Sequence, residues 1–120
     1  MQSTSPASVP AHVVCTQGVP VVAITGRLDT TSAPVFDAQT ASLLEQKNAR
    51  VLLDLSGVTY ISSAGLRSIL KIIKHTASSG GRTGVFSVPP NILEVIEISG
   101  FQPLLDIYPD RESALPGSTD

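Results

Sequence analysis

Two adjacent hydroxyls, Ser62 and Ser63, stand where a short apolar run, Val51 to Leu55, gives way to an amphipathic pattern. A helix starting there presents unpaired backbone N–H groups and a partial positive charge, so a phosphate on either serine meets donors already in place. A serine in this position either caps the helix or accepts a phosphate, and spacing alone leaves both readings open. Gly65 follows inside the first turn, where glycine costs up to about 1 kcal/mol relative to alanine. Its presence points to a close approach, by a partner or by another stretch of the same domain.

Other chemistry finds less support. No Gly-x-Ser-x-Gly elbow surrounds the serine pair, and His12 and His75 are isolated, so nucleophilic catalysis lacks its base. Asp29 and Asp54 both fall at expected strand ends and can share one edge of a sheet, but two acids alone specify no reaction. Neither a Gly-x-x-x-x-Gly-Lys loop nor a Gly-x-Gly-x-x-Gly turn is present to cradle a nucleotide. Cys15 is the single cysteine, which rules out an internal disulfide and a Cys-rich metal site. No metal and no cofactor are expected, and the chain reads as a non-enzyme.

Charge and hydropathy narrow the partners. A net charge of -2 without a Lys/Arg run argues against nucleic acid, and three Phe and two Tyr are too few for a base-stacking platform. The apolar runs fall far short of a membrane span, and no basic-then-apolar leader opens the chain. The expectation is a cytoplasmic protein, monomeric by default.

The elements that must position the serines follow from periodicity. At 120 residues with 42% apolar content, the chain is one domain with a core of its own. Residues 1–10 and 116–120 read as short flexible tails around a domain over 11–115. Ala11–Gln17 and Val19–Thr25 are read as strands joined by a Gln17-Gly18 turn, with Pro20 marking an edge or irregularity. Asp29-Thr30-Thr31-Ser32 offers caps for a helix to about Asn48, with Ala33, Phe36, Thr40, Leu43 and Leu44 inward. Val51–Leu55 reads as a central strand, and Leu66, Ile69, Leu70 and Ile73 give the next helix an apolar stripe. Arg67, Ser68, Lys71 and Lys74 form that helix's other face. A strand from Thr83 to Val88, a short helix capped by Asn91 and closed by Gly100, a strand from Leu104 to Tyr108 and a turn opened by Asp110 complete the chain. The order β-β-α-β-α-β-α-β-α implies an α/β fold with a largely parallel sheet.

Three blocks resemble the STAS domain of bacterial anti-sigma factor antagonists: Gly26-Arg27-Leu28-Asp29, Val51 through Val58, and Tyr60-Ile61-Ser62-Ser63-Ala64-Gly65-Leu66. The likeness extends from about His12 to Leu115. It implies a mixed, mostly parallel sheet with helices largely on one face, and a role in partner switching. In that scheme the unphosphorylated form binds an anti-sigma factor that is also a serine-protein kinase. Phosphorylation at the helix start releases it, and a PP2C-type phosphatase resets it.

The family's usual run here is Asp-Ser-Ser/Thr-Gly-Leu. Aligned on Gly65, Ser62 stands for the aspartate, Ser63 takes the first hydroxyl position and Ala64 the second. The resemblance therefore carries the phosphosite to Ser63, with Ser62 in reserve. It assigns partner contact to Asp29, Thr30, Thr31, Ser62, Ser63, Ala64, Gly65, Arg67 and Lys71. Two other readings stand beside it: a STAS scaffold or transporter-associated domain that is never phosphorylated, and a small-molecule or nucleotide-binding domain.

Overall fold

The computed structural model describes residues 11–115; the expected tails, 1–10 and 116–120, lie outside the described residues. Strands β1 (Ala11–Thr16) and β2 (Val19–Leu28) form a hairpin, followed by α1 (Ala33–Glu45), β3 (Arg50–Ile61) and α2 (Ser63–Ser78). Then come β4 (Arg82–Phe86), α3 (Pro90–Ser99), a 3₁₀ turn (Gln102–Leu104), β5 (Leu105–Tyr108) and the single-turn helix α4 (Arg111–Ala114). The sheet runs β1-β2-β3-β4-β5. Only the β1–β2 pairing is antiparallel; β2–β3, β3–β4 and β4–β5 are parallel. The expected mixed, mostly parallel sheet is the one observed.

Each boundary has a local cause. Gln17 and Gly18 both take positive φ (54° and 80°), the backbone a two-residue hairpin turn demands. Pro20 pairs with Cys15 just before β3 joins β2 at Val21. Its missing N–H therefore faces an edge that β3 has not yet covered. Gly100 closes α3 at φ 83°. Asp110 caps α4 by accepting from the Ser113 N–H at 2.8 Å.

One face of the sheet carries the main core. Val22, Ile24 and Leu28 of β2 and Val51, Leu53 and Leu55 of β3 pack with Phe36 of α1, Ile69, Ile72 and Ile73 of α2, and Ile92 and Ile96 of α3. On the opposite face a smaller cluster of Val19, Val21, Leu52 and Phe86 is covered by Ala114 and Leu115. Helices thus lie largely on one face, with α4 alone on the other.

Several expectations are corrected. β3 does not stop at Leu55, and β2 does not stop at Thr25: Thr25–Leu28 pairs with Gly57–Ile61, with register shifts between Ala23 and Thr25 and between Gly26 and Arg27. Gly57 sits inside the strand, where a Cβ would lie 2.8 Å from the Thr25 methyl. Glycine is what lets the two strands pass at the irregularity. Helix α1 ends at Glu45, three residues early, and the Asn48 side chain donates to the Leu43 carbonyl at 3.0 Å to close it. Pro89, not Asn91, is the N-cap of α3; Asn91 lies in the first turn and reaches the Thr59 carbonyl. Ser68 is buried rather than solvated. The buried stripe of α2 is Gly65, Ser68, Ile69, Ile72, Ile73 and Thr76, rotated toward α1, leaving Leu66 and Leu70 as half-buried flanks.

Gly65 is where helix and sheet meet most closely. An added Cβ would stand 2.4 Å from the Leu28 carbonyl oxygen and 2.9 Å from the Leu28 Cγ. That distance is far inside van der Waals contact, and the obstacle is rigid backbone. Gly65→Ala is expected to destabilise the fold by about 1–3 kcal/mol, the range for overpacking. The check is the midpoint of urea unfolding; an unchanged midpoint would mean the helix start can move away freely.

Candidate functional site

The carboxyl ends of β2 and β3 converge on the first turn of α2. Ser62 holds the junction: its N–H donates to the Leu28 carbonyl at 2.9 Å, and its carbonyl accepts from the Leu66 N–H at 2.9 Å. Its Oγ accepts from the Gly65 N–H at 3.3 Å, the geometry of an N-cap. Ser62 is therefore half-buried and engaged. Ser63, the first residue of the helix, is exposed. The two hydroxyls are thus unlike: that of Ser62 is tied into the cap and that of Ser63 is on an exposed residue.

Beside this turn lies the connection from β2 to α1, organised by Asp29. Its Oδ1 accepts from the Thr31 hydroxyl at 2.7 Å, the Thr31 N–H at 3.1 Å and the Ser32 N–H at 3.2 Å. Its Oδ2 faces Arg27 Nε at 3.4 Å. These donors, the Thr31 hydroxyl foremost and the Ser32 N–H next, hold the carboxyl at about 2, against an ordinary value of 3.8. Ser32 occupies the N-cap position of α1 without capping it. Its hydroxyl donates instead to the Arg27 carbonyl at 2.7 Å and accepts from the Asp29 N–H at 2.9 Å.

A shallow groove of about 200 Å³ runs between α1 and α2, lined by Thr30, Ala33, Pro34, Asp37, Ala64, Arg67, Ser68 and Lys71. It gathers Thr30, Ala64, Arg67 and Lys71 from the sequence-derived set. Thr30, Thr31, Arg67 and Lys71 are exposed, and Asp29 and Ala64 half-buried. Lys71 Nζ bridges to Asp37 Oδ2 at 3.1 Å, joining the two walls. Gly65 is buried against Leu28, so its place in the set is to seat the helix rather than to offer surface.

Asp29 and Asp54 are not brought together. Asp54 lies mid-strand on the opposite face, accepting from the Ser56 N–H at 3.0 Å and facing Arg111 of α4 at 3.7 Å. The two histidines are equally far apart in role: His12 is exposed on β1, while a ring nitrogen of His75 meets the Gln46 carbonyl at the end of α1. Among the described residues no group of three His, Cys, Asp or Glu could hold a metal. None of their helices is long and apolar enough to cross a membrane.

Three residues at the site escaped sequence reasoning. Arg27 and Tyr60 are cross-strand partners, with the guanidinium 4.3 Å from the centroid of a ring that is 42% exposed. Only the register after two shifts puts them together, and no sequence pattern announces it. Asp37 pairs across two helices, for which i,i+4 spacing gives no signal.

The profile of the STAS domain matches residues 11–114. This chain belongs to the STAS domain family. BtrV of Bordetella bronchiseptica, provisionally named an anti-sigma factor antagonist, is 33% identical over 97 residues, 81% of this chain and 84% of that protein. An anti-sigma factor antagonist from Mycobacterium paratuberculosis superposes with a TM-score of 0.81 at 24% identity, over 98% of this chain and 100% of that chain. SpoIIAA of Bacillus in its phosphorylated form superposes with a TM-score of 0.66 at 18% identity, covering 86% and 95%. The same protein, named an anti-sigma factor antagonist, has also been solved unphosphorylated, with a TM-score of 0.68 at 16% identity, covering 86% and 91%.

The depressed ionisation of Asp29 has a testable sign. A folded value of about 2 below an ordinary 3.8 means the bound carboxylate stabilises the fold above about pH 4. That contribution disappears as pH falls toward 2. The urea-midpoint difference between wild type and Asp29→Asn should therefore be full at pH 6 and shrink through that acid window. A difference that stays constant there would remove Asp29 as the organiser of the turn.

Proposed function

We propose that this STAS domain is an anti-sigma factor antagonist that acts as a cytoplasmic monomer by partner switching. Unphosphorylated, it binds an anti-sigma factor that is also an ATP-using serine kinase. The kinase phosphorylates Ser63, the modified domain lets go, and a PP2C-type phosphatase restores the binding form. The protein is substrate and binding module, and the catalysis belongs to its partners.

The observation that carries this reading is the exposed Ser63 hydroxyl at the first position of α2. Its neighbour is the weaker acceptor because Ser62 Oγ is committed to the Gly65 N–H. Relatives named as anti-sigma factor antagonists, one of them solved with and without phosphate, support the same reading. Next to Ser63 on α2, Ala64, Arg67 and Lys71 line the α1–α2 groove together with Thr30, and this groove is the surface the reading assigns to the partner.

The energetics are adequate. A phosphoserine carries about -1.5 to -2 charge at neutral pH. Moving a bound population from 99:1 to 1:99 takes roughly 5.5 kcal/mol of differential affinity. A doubly charged group at the centre of a docked surface acts there by repulsion and by steric clash together.

Incubation with its kinase and ATP should add one phosphate, which fragment mass spectrometry places on Ser63. Ser63→Ala should stay bound to the kinase in the presence of ATP, and Ser63→Asp should bind at least about tenfold more weakly. A phosphate on Ser62 would move the acceptor by one residue. No phosphate on either hydroxyl overturns the switch and leaves a constitutive docking domain.

A further inference from the structure

Four of the five arginines hold a carboxylate: Arg27 faces Asp29, Arg50 and Arg82 share Asp106, and Arg111 faces Asp54. Arg67 alone enters no ion pair among the described residues. It is exposed, it lines the α1–α2 groove, and it stands four residues beyond Ser63 on α2. At that spacing two side chains share one helix face, with Cβ atoms about 5–6 Å apart. Helical side chains also lean toward the N-terminus, which carries the guanidinium back over the Ser63 turn.

The surrounding charges leave Arg67 little else to do. Asp37, on the facing wall of α1, is taken by Lys71 at 3.1 Å. Asp29, in the β2–α1 turn, is occupied by Thr31, Ser32 and Arg27. Lys74, next along the exposed face, lies eleven residues from Ser63, about 16 Å further down the axis. The nearest cation with free donors on that face is Arg67.

Resting on Ser63 as the modified residue, we infer that Arg67 is the intramolecular counter-ion of the Ser63 phosphate, and that phosphorylation withdraws this guanidinium from the α1–α2 groove. In the unmodified domain the planar fork stands in the groove and fits a carboxylate of the docking partner. Once Ser63 carries a phosphate, the fork turns one helical turn back and binds its oxygens. A single modification then removes an attraction as well as adding a repulsion.

The test needs no kinase. Phosphoserine is installed at position 63 during translation, and the second ionisation of the phosphate is followed by phosphorus NMR between pH 4 and 8. In the Arg67→Gln background the midpoint should rise by about 0.2–0.4 pH unit, with Arg67→Lys recovering part of the difference. The gap should close in about 1 M salt, where the screening length falls to about 3 Å. Equal midpoints in wild type and Arg67→Gln overturn the inference. A second reading uses the unsubstituted arginine: its Nε–H resonance should shift and exchange more slowly with solvent once phosphoserine is present, and an unmoved resonance also overturns it. If the kinase assay finds no phosphate on Ser63, the functional proposal fails while this titration still reports on Arg67, so the two failures are separable.

Discussion

The Leu28 carbonyl is the contact on which the rest of the site depends. It ends β2, accepts the Ser62 N–H at 2.9 Å, and leaves no room for a side chain at Gly65. Those constraints fix both the position and the tilt of α2 as it leaves the sheet. Ser63 is solvent-facing because Ser62 is pinned inward. Ala64 and Arg67 reach the groove for the same reason, since the helix phase is set in its first turn. The arrangement of the groove is therefore a consequence of one strand-to-helix junction rather than of independently placed residues.

The opposite end of the sheet is fastened by a different device. Asp106 of β5 receives Arg50 at 2.8 Å and Arg82 at 2.9 Å, and Arg82 also donates to the carbonyls of Pro103 and Leu105. Tyr108 joins through its hydroxyl to Arg50. The two arginine contacts hold the Asp106 carboxyl below its ordinary range against the opposing effect of burial. Inside, the hydroxyls of Thr76 and Thr83 satisfy each other at 2.7 Å, so the two buried polar groups between α2 and β4 cost little. Polar residues thus fasten the amino ends of β3, β4 and β5, while the carboxyl ends of β2 and β3 carry the exposed serine.

What sequence revealed and concealed follows from the range of the interactions. The apolar run Val51–Leu55, the stripe through Ile69 and Ile73, and the Gly100 stop are local signals, and each marks its element. The strand's continuation past Leu55 was not legible because the apolar run ends there, and only the pairing of Thr25 with Gly57 across the irregularity carries β3 on. Ser68 misled because α2 faces both the sheet and α1, widening its buried stripe beyond what a small polar residue announces. Ser62 as a cap was legible, and the resemblance ranked Ser63 first; the physical reason they differ was not legible, because it depends on Leu28, more than thirty positions earlier. Arg27 over Tyr60 and Lys71 on Asp37 are likewise long-range contacts that a linear pattern does not encode.

Thr30, Pro34, Arg67 and Lys71, which line the groove, are exposed, while the inner faces of α1 and α2 make the core. Thr30, Pro34 and Arg67 can be exchanged without opening a cavity or stranding a buried polar group. Specificity between similar partners is a difference of affinities, tunable by small repulsive or attractive changes at such positions. Exchanges at these positions would therefore retune what the groove accepts while the scaffold stayed intact.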